Sequence, residues 1–215
     1  MNHTIANLEK IRDKHGDVGK QLFIITNGRL FPCHALYYAV LNRSLEIFDG
    51  FLILFKNDNY GCCMALLRIQ LDNVLRFYGV LHTKNIHYTA NKIFLGRKLD
   101  SMKDKRGNNM KDSYLVKLLS KSNPWIAHVY KLTCGYIHLS DQHIHQMLEK
   151  SPAIDGNIRD FYIKPDYTHI NIEHKNQMIN AFLKITEGIF DLFLELEKHS
   201  NNYNLSELEK IYPVR

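Results

Sequence analysis

Cysteine is scarce. Cys33, Cys62, Cys63 and Cys134 are the four in 215 residues. No two stand in a CxxC spacing, and the vicinal Cys62–Cys63 pair is poorly built to bridge itself, so a disulfide scaffold is excluded and the thiols read as small apolar residues of a reducing compartment. Proline and glycine, five and eleven in all, are scattered, which excludes collagenous and low-complexity chains. There is no internal repeat. Long apolar runs are missing too: the longest, Phe51–Phe55, falls far short of the roughly 20 residues that cross a bilayer. The first residues are polar and helically periodic, unlike a signal peptide, and the reading is a cytoplasmic protein with no membrane partner. One-sided charge is also lacking, since 28 Lys+Arg against 22 Asp+Glu leave only +6, which permits a polyanionic partner without requiring one.

The motif inventory is short. There is no Walker loop, GxGxxG, GxSxG or HExxH. His138, His143 and His145 tempt a metal assignment, but on a continuous helix His143 points roughly 140° away from His138, so the three do not converge. No metal and no cofactor is expected.

What is present is an ordinary globular composition, 45% hydrophobic and 23% charged, arranged with helical periodicity. A first helix spans Pro32 to Lys56, with proline in the turn that tolerates it. An Asn57–Asn59 break then forces a hairpin into a second helix from Tyr60 to His82. A third begins at Asn123-Pro124 and continues through Tyr136 and Leu139 towards Leu148. A fourth follows Asn171, with Ile179, Phe182, Thr186, Ile189, Phe193 and Leu196 on one face. The expected fold is all-α: an antiparallel bundle of four long helices in one domain over 1–215, with its core at about 32–198 and insertions at about 85–122 and 151–171. The first insertion carries short helices near Tyr88–Leu95 and Ser113–Leu119 and a basic turn over 102–110. The second includes Phe161–Ile163, which reads as extended.

Two polar stripes interrupt the apolar faces. On the third helix Lys131, His138 and His145 recur at i, i+7 and i+14, with Tyr130, Cys134 and Asp141 on the same side and Ser140 close by. Such a face gathers an imidazole able to move a proton near neutrality and an amine able to neutralise phosphate. Spacing alone fits a structural, hydrogen-bonded histidine better. On the second helix Arg68, Asp72 and Arg76 stand at i, i+4 and i+8, which is either an exposed ion-pair ladder or a network turned against the bundle. Arg43 and Glu46 flank it from the first helix. The charges over 96–112, Arg97, Lys98, Lys103, Lys105, Arg106 and Lys111 against Asp100, Asp104 and Asp112, would meet phosphates or simply face water.

The stretch from Leu67 to Arg76 (LRIQLDNVLR) together with that from Tyr130 to Ser140 (YKLTCGYIHLS), with its Tyr…His-x-Ser pattern, resembles the bacterial helical proteins grouped with the AbiV-like abortive-infection and HEPN (higher eukaryotes and prokaryotes nucleotide-binding) families. The resemblance covers about Leu36–Ser140 by motif and the last helix by architecture. It implies a helical bundle, homodimerisation, and metal-independent RNA cleavage in phage defence or as a toxin, with a cognate antitoxin or defence-system protein as partner. In that chemistry the RNA 2′-hydroxyl attacks, His138 acts as general acid/base, a cation from Lys131, Arg68 or Arg76 stabilises the phosphorane-like charge, and Asp72, Tyr130, Ser140 and Arg43 orient the site. The chain departs from the family's Arg-x4–6-His motif: the residue in the arginine position is Lys131, which lacks the planar fork. Either Arg68 or Arg76 supplies the guanidinium, or the protein is a non-catalytic helical module that binds RNA, a nucleotide or a partner protein.

Overall fold

A computed structural model of the chain describes residues 2–149, 153–155, 158–159, 170–200 and 211. The described residues are overwhelmingly helical: α1 (Asn2–Ile25), α2 (Pro32–Lys56), α3 (Tyr60–Leu81), α4 (Ile86–Phe94), α5 (Asp112–Leu119), α6 (Trp125–Ile137), α7 (Asp141–Glu149) and α8 (Ile172–Ser200), with a 3-10 turn at Leu99–Ser101. A two-stranded antiparallel ribbon joins Ala153–Asp155 to Ile158–Arg159. The expectation of an extended Phe161–Ile163 lies outside the described residues.

The helix boundaries follow from local chemistry. Pro32 opens α2, and Asn57–Asn59 turns the chain with Asp58 at φ +56° and the Asn59 side chain accepting the Cys62 amide. The Asn171 side chain accepts the His174 amide at 2.9 Å in the first turn of α8. Around these caps α3 becomes the hub, packing on α2, α5, α6 and α8. Most of its side chains are buried, including polar Arg68, Gln70 and Asn73. Phe51 and Phe182 stack at 3.9 Å between ring centroids in the core, and the Tyr37 hydroxyl donates to the Ile189 carbonyl at 2.8 Å.

Two sequence expectations are corrected. The four long helices are not those of the periodicity argument. α1, with Leu8, Val18 and Leu22 buried, packs on α2 and α8 and belongs to the core, so the core begins well before residue 32. Its apolar positions are sparse because only one narrow stripe meets the bundle. The supposed third long helix is two short ones. α6 ends at Ile137, His138 is extended (φ −109°, ψ 146°), and α7 restarts at Asp141. Ser140 marks the break: its hydroxyl donates back to the Gly135 carbonyl at 3.0 Å, while its own carbonyl accepts the His143 amide at 3.1 Å. A helix-long stripe of Lys131, His138 and His145 therefore does not form.

Candidate functional site

The Arg68–Asp72–Arg76 stripe is turned inward as a network. Arg68 is 7% exposed, and its guanidinium lies over the Tyr130 ring of α6 at 4.3 Å to the centroid. Its Nη2 donates to Asp112 Oδ2 of α5 at 3.4 Å, and its Nη1 sits 4.0 Å from Asp72. Arg76 straddles the same two carboxylates, donating from Nε to Asp72 at 3.2 Å and holding Nη2 2.7 Å from Asp112 Oδ1. That last contact is an ion pair by distance and not a hydrogen bond, so Asp112 Oδ1 has no hydrogen-bond partner; Arg68 Nε, elsewhere in the cluster, has none either. From α2, Arg43 reaches 3.7 Å from Asp72 and donates to Asn73 Oδ1 at 2.6 Å. Burial pushes the Arg68 guanidinium down, but a hydrogen bond with Cys134 and the fields of Tyr130 and Asp72 outweigh it, so its pKa is raised.

This cluster is one end of a longer buried chain. Asn73 donates to Gln70 at 3.1 Å, and Gln70 donates to Ser44 Oγ at 2.7 Å and Thr186 Oγ1 at 3.1 Å. Ser44 Oγ lies 2.8 Å from His15 Nε2. The His15 Nδ1 faces the carbonyls of Ile11 and Arg12 at 3.1 and 3.0 Å, so the proton sits on Nδ1 and Nε2 accepts from Ser44. Burial lowers the His15 pKa and keeps the ring neutral. Helices α1, α2, α3, α5, α6 and α8 are thus tied by one polar spine.

The remaining sequence candidates stand apart from it. Lys131 and His138 are exposed, on or just beyond the end of α6, while the adjacent Tyr130 faces Arg68. Among the described residues His138 makes no hydrogen bond or ion pair, and no contact joins it to Arg68 or Arg76. Ser140 is committed to the α6–α7 break. Of the predicted constellation, Arg43, Arg68, Asp72, Arg76 and Tyr130 are therefore brought together, and Lys131, His138 and Ser140 are not. Sequence reasoning missed Asp112 as the second anchor. It sits in the first turn of an amphipathic helix, where a carboxylate suits the helix dipole as well as a neighbouring guanidinium.

A second site emerges from the segment read as a solvated charge run. A cleft of about 530 Å³ lies between the start of α4 and the 103–107 turn, lined by Lys84, Lys92, Arg97, Lys103, Lys105 and Arg106 with Tyr88. None of the six cations forms an ion pair among the described residues. The one carboxylate in the cleft, Asp104, is occupied. It accepts the amides of Arg106 (2.9 Å) and Asn108 (2.8 Å) and the Tyr114 hydroxyl (2.5 Å). Burial pushes this acid up, yet the hydrogen bonds prevail and hold its pKa down at about 2. Gly107, at φ +88°, closes the turn in a conformation that side-chain-bearing residues rarely adopt. The Lys105 amide ties it to the His82 carbonyl at the end of α3 (3.0 Å).

No protein-family model, no curated protein and no solved structure matches the chain significantly. Among the described residues no helix is long and apolar enough to cross a membrane, and no group of three His, Cys, Asp or Glu is placed to hold a metal ion.

Proposed function

We propose that this chain is a helical RNA-binding module, of the kind that serves phage defence or a toxin system. The observation that carries the reading is the cleft beside α4, where six cations converge around one carboxylate already consumed by hydrogen bonds. Six cations against one carboxylate leave net positive charge in a concave site, which is costly to gather and draws a polyanion. The guanidinium cluster supports binding over cleavage in this reading, because Arg68 and Arg76 are neutralised by Asp72 and Asp112 rather than held open for a phosphate. Anisotropy titration of a fluorescent RNA at 50 mM salt, paired with gel analysis of the same RNA after overnight incubation, tests it. The expected result is saturable, salt-sensitive binding with intact RNA.

A second reading has one observation in its favour. His138 is exposed and makes no hydrogen bond among the described residues, so a substrate can reach its ring. On that reading the chain cleaves RNA with His138 and Lys131 on a homodimer, with an antitoxin or defence protein as regulator. Cleavage by wild-type protein that His138→Ala abolishes, at unchanged melting temperature, would establish it. Intact RNA in both reactions retires it.

A further inference from the structure

Resting on the reading of this chain as an RNA-binding module, we infer that the α4 cleft takes single-stranded RNA, with one unstacked base on the Tyr88 ring and the flanking phosphates on the 103–106 turn. Tyr88 leaves 54% of its surface exposed on a nine-residue helix whose opposite face, Ile86, His87, Thr89 and Ala90, is buried. Packing therefore does not explain the ring. Its Lys92 neighbour stands 5.2 Å from the ring centroid, which polarises the aromatic face and adds a cation beside it. An aromatic ring inside a cationic cleft is the arrangement that holds single strands, since every base has a face to stack and the phosphates follow the cations.

The turn is built to present those cations rather than to shield them. Asp104 points its carboxylate into the loop, where two backbone amides and Tyr114 consume it. The alternation around it leaves Lys103, Lys105 and Arg106 all exposed. The hydrogen bond from the Lys105 amide to the His82 carbonyl and the Lys103–Asn109 bridge hold the turn in place against the bundle before any ligand arrives. A prearranged site loses less conformational entropy on binding. A duplex does not satisfy it: its bases are stacked on one another and offer the ring no free face, and A-form RNA is contacted through backbone and minor groove over a broad face instead.

The test is fluorescence anisotropy of full-length protein with a 5′-labelled 12-nucleotide oligo(U) and with a 12-base-pair RNA duplex, from 50 to 200 mM KCl. The variants are Tyr88→Ala, Tyr88→Phe and the pair Lys105→Gln/Arg106→Gln. All three positions are exposed, and far-ultraviolet circular dichroism and melting confirm the fold of each variant. Oligo(U) is expected to bind more tightly than the duplex. Tyr88→Ala should weaken oligo(U) binding by about 5- to 100-fold, the loss of one base stack, while Tyr88→Phe retains it. The double glutamine variant should reduce the slope of log affinity against log salt by about 1.4, two phosphate contacts at roughly 0.7 each. Oligo(U) binding that survives both Tyr88→Ala and the glutamine pair, or duplex binding as tight as oligo(U), overturns the inference and leaves an RNA-binding module with its site elsewhere. Absence of any RNA binding by the wild-type protein overturns the module reading and this inference together.

Discussion

Replacing Asp112 by asparagine separates architecture from recognition. The carboxylate bridges α5 to two guanidiniums on α3, one of them 7% exposed and stacked on Tyr130. The partly exposed pair with Arg76 is worth about 0.5–1 kcal/mol. The anion in the first turn of α5 contributes about 0.5 kcal/mol more against the helix dipole. Arg68 matters most: with Asp112 neutral, Asp72, 4.0 Å away, is its remaining carboxylate, and such a loss costs on the order of 2 kcal/mol. Together these come to about 3 kcal/mol, which in a domain of this size lowers the melting temperature by roughly 6–12 °C. Scanning calorimetry measures it, with anisotropy on oligo(U) alongside. Pairing Asp112→Asn with Arg68→Met should recover part of the loss, because the stranded charge leaves with its partner. An Asp112→Asn protein that melts within 1 °C of wild type, or that loses RNA binding while keeping its stability, would show that the carboxylate does not hold the buried charge in place.

Acid should unfold the protein through two imidazoles. His34 and His87 are fully buried with rings 5.2 Å apart. Burial lowers His34 to about 4, and burial together with His34 and His199 lowers His87 to about 3. Their folded values lie below the unfolded one near 6.5, so the stabilisation is complete above pH 6.5 and is lost as pH falls from there to about 4 for His34 and about 3 for His87. At pH 5 the loss is about 2 kcal/mol for each ring. Urea titrations at pH 7 and pH 5 should differ accordingly, and His34→Leu should remove about half the difference; equal midpoints would contradict it. Gly79→Val puts a Cβ 3.0 Å from Leu99 and 3.1 Å from Leu115, so it should cost about 1–3 kcal/mol in overpacking, visible as a lower urea midpoint. Asp104→Ala releases the amides of Arg106 and Asn108. Hydrogen exchange at those two positions should rise by at least tenfold, while α3 amides stay protected.

The fold was legible wherever one apolar face is wide. Pro32–Lys56 and the hairpin at Asn57–Asn59 follow from periodicity and turn residues, and the short helices expected near Tyr88–Leu95 and Ser113–Leu119 are α4 and α5, each beginning one or two residues earlier. The 123–148 region does not read as two helices, because no proline stands at the break and Gly135 lies inside the last turn of α6 rather than beyond its end. The break is made by extended His138 and by Ser140, whose bonds serve both flanks. The place of α1 in the core is hidden in the sequence because its buried positions, Leu8, His15, Val18 and Leu22, include a histidine that its Ser44 partner makes compatible with a core. At the site, i,i+4 spacing identified Arg68, Asp72 and Arg76. Asp112 lies 44 residues from Arg68, and no spacing rule joins such distant positions. The cleft illustrates the opposite failure. Its charges are visible as a run, but that Asp104 turns inward while Lys103, Lys105 and Arg106 face out depends on hydrogen bonds to Asn108 and Tyr114.

The most direct measurement is a two-dimensional nitrogen–proton NMR titration of the labelled protein with oligo(U), including the arginine Nε–H region. Binding in the α4 cleft predicts shifts confined to Lys84, Tyr88, Lys92 and residues 103–107, with the Arg68 and Arg76 Nε–H signals unmoved. Movement of the Arg68 and Arg76 signals together with His138, and none at the 103–107 turn, would contradict it.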